Sequence, residues 1–328
     1  MIRSISFCVL LLSAIASCKN PDAPSDAFLE APPFSELTDS IRKFPENAAL
    51  YYRRGTLLYE NNHLQHAEKD LRTAWKLDPT EAYALRLETI LREQKKTDVI
   101  PFLEEAGKKL PGSLPIRITL ARAYQENGDT ARAAKILDAV LEQYPGQLDA
   151  LTLKSQLLSN TDQKLEAISY LERAHELVPS DPEIAYQLAF AYAEAKDPKA
   201  VKLSDSLIRA DKTGQMAEPW FFKGVYYSNI ANYPEALRNF DETIRRAYNF
   251  LDAYINKAII YYDQKKYDEA LKVLQLGLTI DPTYADTFYW IGKVQEAKGD
   301  REHAKENYQK AYSLDKNLVR AKEAADRL

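Results

Sequence analysis

Apolar residues along this chain recur at helical spacing, and the pattern is interrupted at regular intervals by proline and glycine. Helix-like text leads up to Pro79, Pro111, Pro145, Pro179 and Pro282, the first four of which lie 32, 34 and 34 residues apart. Aligning the interiors on these prolines divides the chain into about eight units of 32 to 35 residues, beginning near Ala48, Thr80, Leu114, Leu148, Pro182, Ala217, Leu251 and Ala285. Each unit predicts two helices. Asn127-Gly128-Asp129 and Lys298-Gly299-Asp300 offer a left-handed glycine followed by an N-capping aspartate between the two. Asp78-Pro79 and Asp281-Pro282 close a second helix, because proline lacks an amide hydrogen and steers its predecessor out of the helical region.

Within the units, small residues recur at one offset of the first helix (Gly55, Ala121, Ala189, Gly224, Ala258, Gly292) and at one of the second (Ala67, Ala133, Ala167, Ala236, Ala270, Ala304). Such positions let the two helices of a hairpin approach closely. Leu71, Leu137, Leu171, Phe240, Leu274 and Tyr308 would pack towards the next unit. The succession of an aromatic, a small residue, an aromatic, then Ala, a bulky apolar residue, Ala and Pro resembles the tetratricopeptide repeat (TPR). Trp220, Gly224, Tyr227, Ala236 and Phe240 carry it in one unit, and Tyr254, Ala258, Tyr261, Ala270, Leu274, Gly277 and Pro282 in the next. Phe288, Gly292, Ala304, Tyr308 and Ala311 carry it in the last unit, and Tyr51, Gly55, Leu58, Ala67, Leu71, Ala74 and Pro79 in the first. The resemblance covers roughly residues 34–328 and implies an all-α chain, a right-handed α-solenoid of about eight TPR-type hairpins, in which no hairpin is stable alone.

Two units depart from the pattern. Residues 80–113 carry Leu87 and Val99 where small residues are expected, with Pro101 near the start of the second helix, and residues 182–216 place Asp197-Pro198 at the turn and end in Asp211-Lys212-Thr213-Gly214. A kink or looser stacking is expected there. The repeats proper span 48–318. Residues 34–47, with Phe34, Leu37, Ile41 and Phe44 at helical spacing before Pro45, read as an N-terminal capping helix. Residues 319–328 read as a C-terminal one, with Ala321, Ala324 and Leu328 turned inward.

The first residues have another character. Arg3, an apolar run from Ile5 to Leu12 and small residues before Cys18 read as a signal peptide over 1–17, too short to span a bilayer, which needs roughly 20 residues. Ile15-Ala16-Ser17-Cys18 resembles the lipobox of bacterial lipoproteins, which implies a lipidated (palmitate-bearing) Cys18 as first residue of the mature chain; a plain secretory signal cut elsewhere is the alternative. Residues 18–33, with Pro21, Pro24, Pro32 and Pro33, then form an extended tether. Lys19 stands where an aspartate would retain a Gram-negative lipoprotein at the inner membrane, so the outer membrane is expected, on its periplasmic or its surface face. With Cys8 removed and Cys18 lipidated, the folded part has no thiol, which excludes disulfides and cysteine-bound metals.

Composition and charge narrow the function. A formal net charge of -4 gives no basic field for nucleic acid, and ten glycines in 328 residues are too few for several phosphate-cradling loops. No nucleophile elbow or paired metal ligands stand out. His63 and His66 share a helical face without a third ligand and read as solvated residues at a hairpin turn. The acidic residues at the second position of first helices, Glu81, Asp149, Glu183, Glu218, Asp252 and Asp286, suit the helix dipole. Neither an enzyme nor a cofactor or metal site is expected.

What remains is the groove that the resemblance implies on the exposed face of the first helices, at offsets 2, 5, 9 and 12. In the C-terminal half these give Tyr186, Phe190, Phe221, Val225, Ile255, Ile259, Tyr262 and Tyr289, flanked by Asn229 and Asn256. The N-terminal half, with Glu88, Arg122, Gln125, Gln156 and Asn160, is polar. An apolar, aromatic stripe suits an amphipathic helix or an extended peptide; alternatively, the chain's own elements cover part of it. The Lys, Asn and Arg clamp with which some family members hold a C-terminal carboxylate is absent, since Phe221, Val225, Asp286 and Trp290 stand at its positions. The expectation is a lipid-anchored adaptor that binds protein partners of envelope assembly or secretion machinery. A glycan-capture lipoprotein whose groove aromatics stack on sugar rings is the alternative; clustered exposed tryptophans would support it, but only Trp75, Trp220 and Trp290 occur, and Trp220 stands at a core offset.

Overall fold

The computed structural model describes residues 26–159 and 161–328. The expected signal peptide, Cys18 and Asn160 lie outside the described residues. Among these, the regular structure is helical: one 3-10 turn, Asp26–Glu30, and eighteen α-helices. The described residues divide into two compact units, one ending at Thr119 and the other running from Leu120, with the division inside helix α6 (Leu114–Glu126).

In the first unit, α1 (Ser35–Lys43) packs on the hairpin of α2 (Ala48–Glu60) and α3 (Leu64–Leu77), and α4 (Glu81–Glu93) with α5 (Val99–Lys109) follows. Arg54 on α2 is the tie between these elements. Its guanidinium donates to both carboxylate oxygens of Asp70 at 2.6 and 2.8 Å and to the Thr38 hydroxyl of α1 at 3.1 Å. Asp70 is buried, so the forked, hydrogen-bonded geometry is what lets this ion pair offset its desolvation. Phe44, at the end of α1, is exposed rather than part of the cap.

The tether ends earlier than its prolines suggest. Phe28 stacks on His63 with ring centroids 4.3 Å apart and meets Phe34 edge-on at 5.4 Å. His66 Nε2 lies 2.8 Å from Asp26 Oδ1. From Asp26 onward the chain is therefore packed on the first hairpin, and the two histidines are contacts of this strap, not solvated turn residues. Pro101, in turn, produces no kink: it falls in the first turn of α5, where a missing N–H costs no helical bond. The helix starts late, and α4 with α5 makes a sparser pair than α2 with α3.

The second unit continues through α7 (Thr130–Gln143), α8 (Leu148–Ser159), α9 (Lys164–Leu177), α10 (Pro182–Glu194), α11 (Lys199–Ala210), α12 (Glu218–Asn229) and α13 (Tyr233–Arg246). It ends with α14 (Leu251–Asp263), α15 (Tyr267–Ile280), α16 (Ala285–Ala297), α17 (Arg301–Leu314) and α18 (Val319–Arg327). From α8 on, each odd helix packs on its predecessor as a hairpin, and α18 closes the last hairpin through Arg327, which donates to Glu296 at 2.7 and 3.0 Å. The fold is an α-solenoid of TPR-type hairpins.

Close approach explains the glycines inside first helices. A Cβ at Gly55, Gly224 or Gly292 would stand 2.9 Å from Leu71 Cγ, 2.5 Å from Phe240 Cε1 or 2.8 Å from Tyr308 Cδ1, and all three partners are fully buried. The turns share a second device. Asn62, Lys95, Gly128, Lys196, Ala231, Lys265 and Gly299 all have positive φ, and the next residue's N–H reaches back to the carbonyl five residues earlier, as from Asn232 to Tyr227 at 2.8 Å. Successive hairpins are also tied by cations on first helices: Lys154 to Asp138 at 2.6 Å, Lys223 to Asp205 at 2.7 Å, and Lys257 to Asp241.

Both backbone devices can be tested by urea unfolding. Gly224→Val, which forces a branched side chain into the Phe240 ring, should lower stability by about 1–3 kcal/mol. Ala231→Gly, which relieves a left-handed alanine on the surface, should raise it by up to about 1 kcal/mol.

Candidate functional site

The stripe expected along the first helices divides in the structure. Phe221, Val225 and Ile255 are 7%, 5% and 6% exposed and belong to the core, so they are not groove residues. The reason is that α10 leans on α12 and α14 on α16, which turns those offsets into helix-to-helix contacts. Asn229 is also committed, its amide donating to the carbonyl of Ala193 at 3.1 Å, and Asn256 donates to Asp252 of its own helix at 2.8 Å. Tyr186, Ile259, Tyr262 and Tyr289 are half-buried. Phe190 is 41% exposed, an unusual state for a phenylalanine inside a helix that faces its own core.

Phe190 stands on the wall of a cleft of about 500 Å³ between α8 and α10. Ala167, Ile168 and Leu171 of α9 form its floor, Phe190 and Ala191 one wall, and Ser155, Gln156 and Ser159 of α8 the other. Lys164, Gln187 and Glu194 complete the lining. The sequence explains why the gap opens here. Between α10 and α12 the space is filled by Phe222, whose ring lies 5.8 Å from Phe190 and 5.9 Å from Tyr186. At the same position of its own hairpin α10 carries Gln187, and its amide turns along the helix to Glu183 at 3.0 Å instead of bridging to α8. Small hydroxyls at Ser155 and Ser159 add no bulk from the other side. An apolar floor and one exposed ring, rimmed by amides and hydroxyls, form a surface that can desolvate an apolar group and hydrogen-bond the polar atoms beside it.

Gln187, Ile168 and Leu171 are therefore the lining residues that the offset rule overlooked, and a polar residue where the neighbouring hairpin has Phe222 was the available signal. In the N-terminal half, Glu88 is buried and paired with Arg92 at 2.6 Å on its own helix. The electrostatics near the cleft are acidic: the Tyr186 hydroxyl is pushed above the ordinary phenol range by burial first and then by the carboxylates of Glu218, Asp211 and Glu183.

The tryptophans are not bare platforms. Trp75 is buried against Phe102, and cations stand over the other two rings, Arg246 at 4.5 Å and Lys223 at 5.1 Å from Trp220, Lys293 at 5.9 Å from Trp290. Among the described residues no group of three or more His, Cys, Asp or Glu is placed to hold a metal ion.

Comparison with known proteins agrees with this architecture. Residues 91–157, and separately 48–81 and 285–318, match models of the tetratricopeptide repeat, and 259–299 match one of the TPR repeat. Tetratricopeptide repeat protein 1 of Schizosaccharomyces pombe is 23% identical over 261 residues, 70% of this chain and 24% of that protein. The Hsp70-Hsp90 organizing protein of Triticum aestivum is 33% identical over 135 residues, 39% of this chain and 23% of that one. The chain thus spans only a minor part of the curated relatives it matches. A tetratricopeptide repeat protein of Parabacteroides merdae shares the fold with a TM-score of 0.58 at 18% identity, over 85% of this chain and 97% of its own. Cut9 bound to Hcn1 does so with a TM-score of 0.51 at 14% identity, over 89% and 58%.

The division of the stripe predicts opposite responses to truncation. Phe221→Ala should cost about 3–5 kcal/mol, as for other core phenylalanines, and Phe190→Ala less than about 1 kcal/mol. Thermal melts of the two variants check this, and comparable losses in both would put Phe190 in the core.

Proposed function

We propose that this chain, built of tetratricopeptide repeats, is a non-catalytic adaptor that binds a helix or an extended segment of a partner protein, and that it works from the bacterial cell envelope. The observation that carries the binding reading is the cleft beside Phe190. Burying a fully exposed phenylalanine is worth on the order of 2 kcal/mol, so covering Phe190, which is 41% exposed in a concave, apolar-floored site, gains a partner under about 1 kcal/mol at that ring alone. Proteins of tetratricopeptide repeats mediate protein–protein interaction, which supports assigning the cleft to a protein.

The anchor is argued from Ile15-Ala16-Ser17-Cys18 and from the tether that follows. No described helix is long and apolar enough to cross a membrane, so attachment in this proposal falls to the lipid on Cys18. Lys19 directs the protein to the outer membrane, and partners belong to envelope assembly or secretion.

Two experiments test the parts separately. Cells fed a palmitate analogue should label the protein, and Cys18→Ala should lose both label and membrane association; retained label would sink the anchor. A photoreactive residue at position 190 should yield discrete protein adducts in intact cells. Retention of the purified chain on a glycan column, with no adducts at 190, would replace protein binding by glycan capture.

A further inference from the structure

The rim of the Phe190 cleft carries charge that the fold does not consume. Glu194, which lines the cleft, and Glu183, one turn before the lining residue Gln187, stand at the two ends of α10 and form no ion pair among the described residues. Glu183 accepts only from the amide of Gln187, at 3.0 Å. Some acids of the same unit are matched, as Glu172 is by Lys199 and Tyr192 and Glu296 by Arg327 and Tyr308, and others, such as Glu142, Glu176 and Glu269, form no ion pair; what distinguishes Glu183 and Glu194 is their place on either side of an exposed ring. Helix geometry puts offsets 2, 9 and 13 within roughly 20° of one direction, so Glu183, Phe190 and Glu194 share one face of α10, and the two carboxylates bracket the ring about 16 Å apart along the axis. Against this stands Lys164, the cation in the cleft lining.

We propose that the cleft takes a cationic amphipathic segment of a partner protein, with one apolar side chain seated on Ile168 and Leu171 beside Phe190 and basic side chains over Glu183 and Glu194 on either flank. The inference rests on the protein-binding reading above and specifies the partner's chemistry. Unpaired carboxylates around a partly desolvated ring favour lysine or arginine and repel an acidic segment. A second copy of this chain fits less well, because the chain itself carries a net charge of -4. The bracket also sets a spacing: basic residues about 11 apart in a helical partner, or about five apart in an extended one, with the anchor between them.

The test is selection from a random library of displayed peptides of about 16 residues on the purified full-length chain, in parallel with Phe190→Ala and with the double variant Glu183→Lys/Glu194→Lys. Peptides selected on the native protein should be net positive with an aromatic or aliphatic residue between the cations. Their affinity should fall at least about tenfold in the double variant and fall again as salt is raised from about 0.05 to 0.5 M. Neutral or acidic peptides that are lost on Phe190→Ala would overturn the cationic partner and leave protein binding standing. No enrichment, or enrichment indifferent to Phe190→Ala, would overturn both. Circular dichroism of each variant separates lost binding from lost fold.

Discussion

The closeness of the two helices in each hairpin is the condition on which the rest of the structure depends. Where Gly224 faces Phe240 and Gly292 faces Tyr308, an aromatic ring lies directly on the backbone of the opposing helix, and no side chain larger than hydrogen fits between. That contact sets the hairpin's thickness, and the thickness sets where the next hairpin meets it. Tyr308 shows the consequence: with its ring fully buried against Gly292, its hydroxyl donates to Glu296 at 2.7 Å, and Glu296 in turn holds Arg327 of the closing helix. A glycine inside a helix costs roughly 0.5–1 kcal/mol against alanine, so its recurrence there makes sense only as a packing requirement.

Those residues were legible in the sequence because the requirement is steric and therefore strict. Gly55, Gly224, Gly292 and the alanines of the second helices mark the repeat and with it the solenoid. The turn was legible only in part. Gly128 and Gly299 announce a left-handed residue, but Lys95, Lys196, Ala231 and Lys265 adopt the same conformation with nothing in their chemistry to signal it. Seven turns share one geometry because the backbone hydrogen bonds of the helix end enforce it, and the residue at its centre is tolerated, not selected for shape. The cations at Lys154, Lys223 and Lys257 were illegible for a related reason. Each finds an aspartate on the preceding hairpin, and which aspartate lies within reach depends on how hairpins stack, not on local sequence.

The groove was read less well than the fold, and the errors have a common cause. Offset rules place Phe221, Val225 and Ile255 on an exposed face, which is correct for an isolated hairpin; leaning of α10 on α12 and α14 on α16 buries them. Phe190 obeys the same rule and stays exposed because α8 does not close on α10. The difference between a groove residue and a core residue is thus set by the neighbour one hairpin earlier, and beside Phe190 Gln187 leaves open the space that Phe222 fills in the following hairpin.

That single exchange suggests how a repeat protein acquires a site. At this position the first helices alternate between polar residues (Arg53, Thr119, Gln187, Asn256) and bulky apolar ones (Leu85, Leu153, Phe222, Trp290), so successive gaps are not filled alike. Replacing one filler by a residue that hydrogen-bonds along its own helix opens one gap, and the apolar floor beneath, Ile168 and Leu171, is already present because the second helix needs it for packing. The gap beside Gln187 then differs from the one that Phe222 fills in both shape and hydration. Charge adds to the distinction: Glu183 in the first turn of α10 suits the helix dipole, Glu194 in its last turn does not, and neither is neutralised by an ion pair, although Lys164 lines the same cleft. Specificity in such a fold comes from a local departure from the repeat, with the regular hairpins on either side holding that departure rigid.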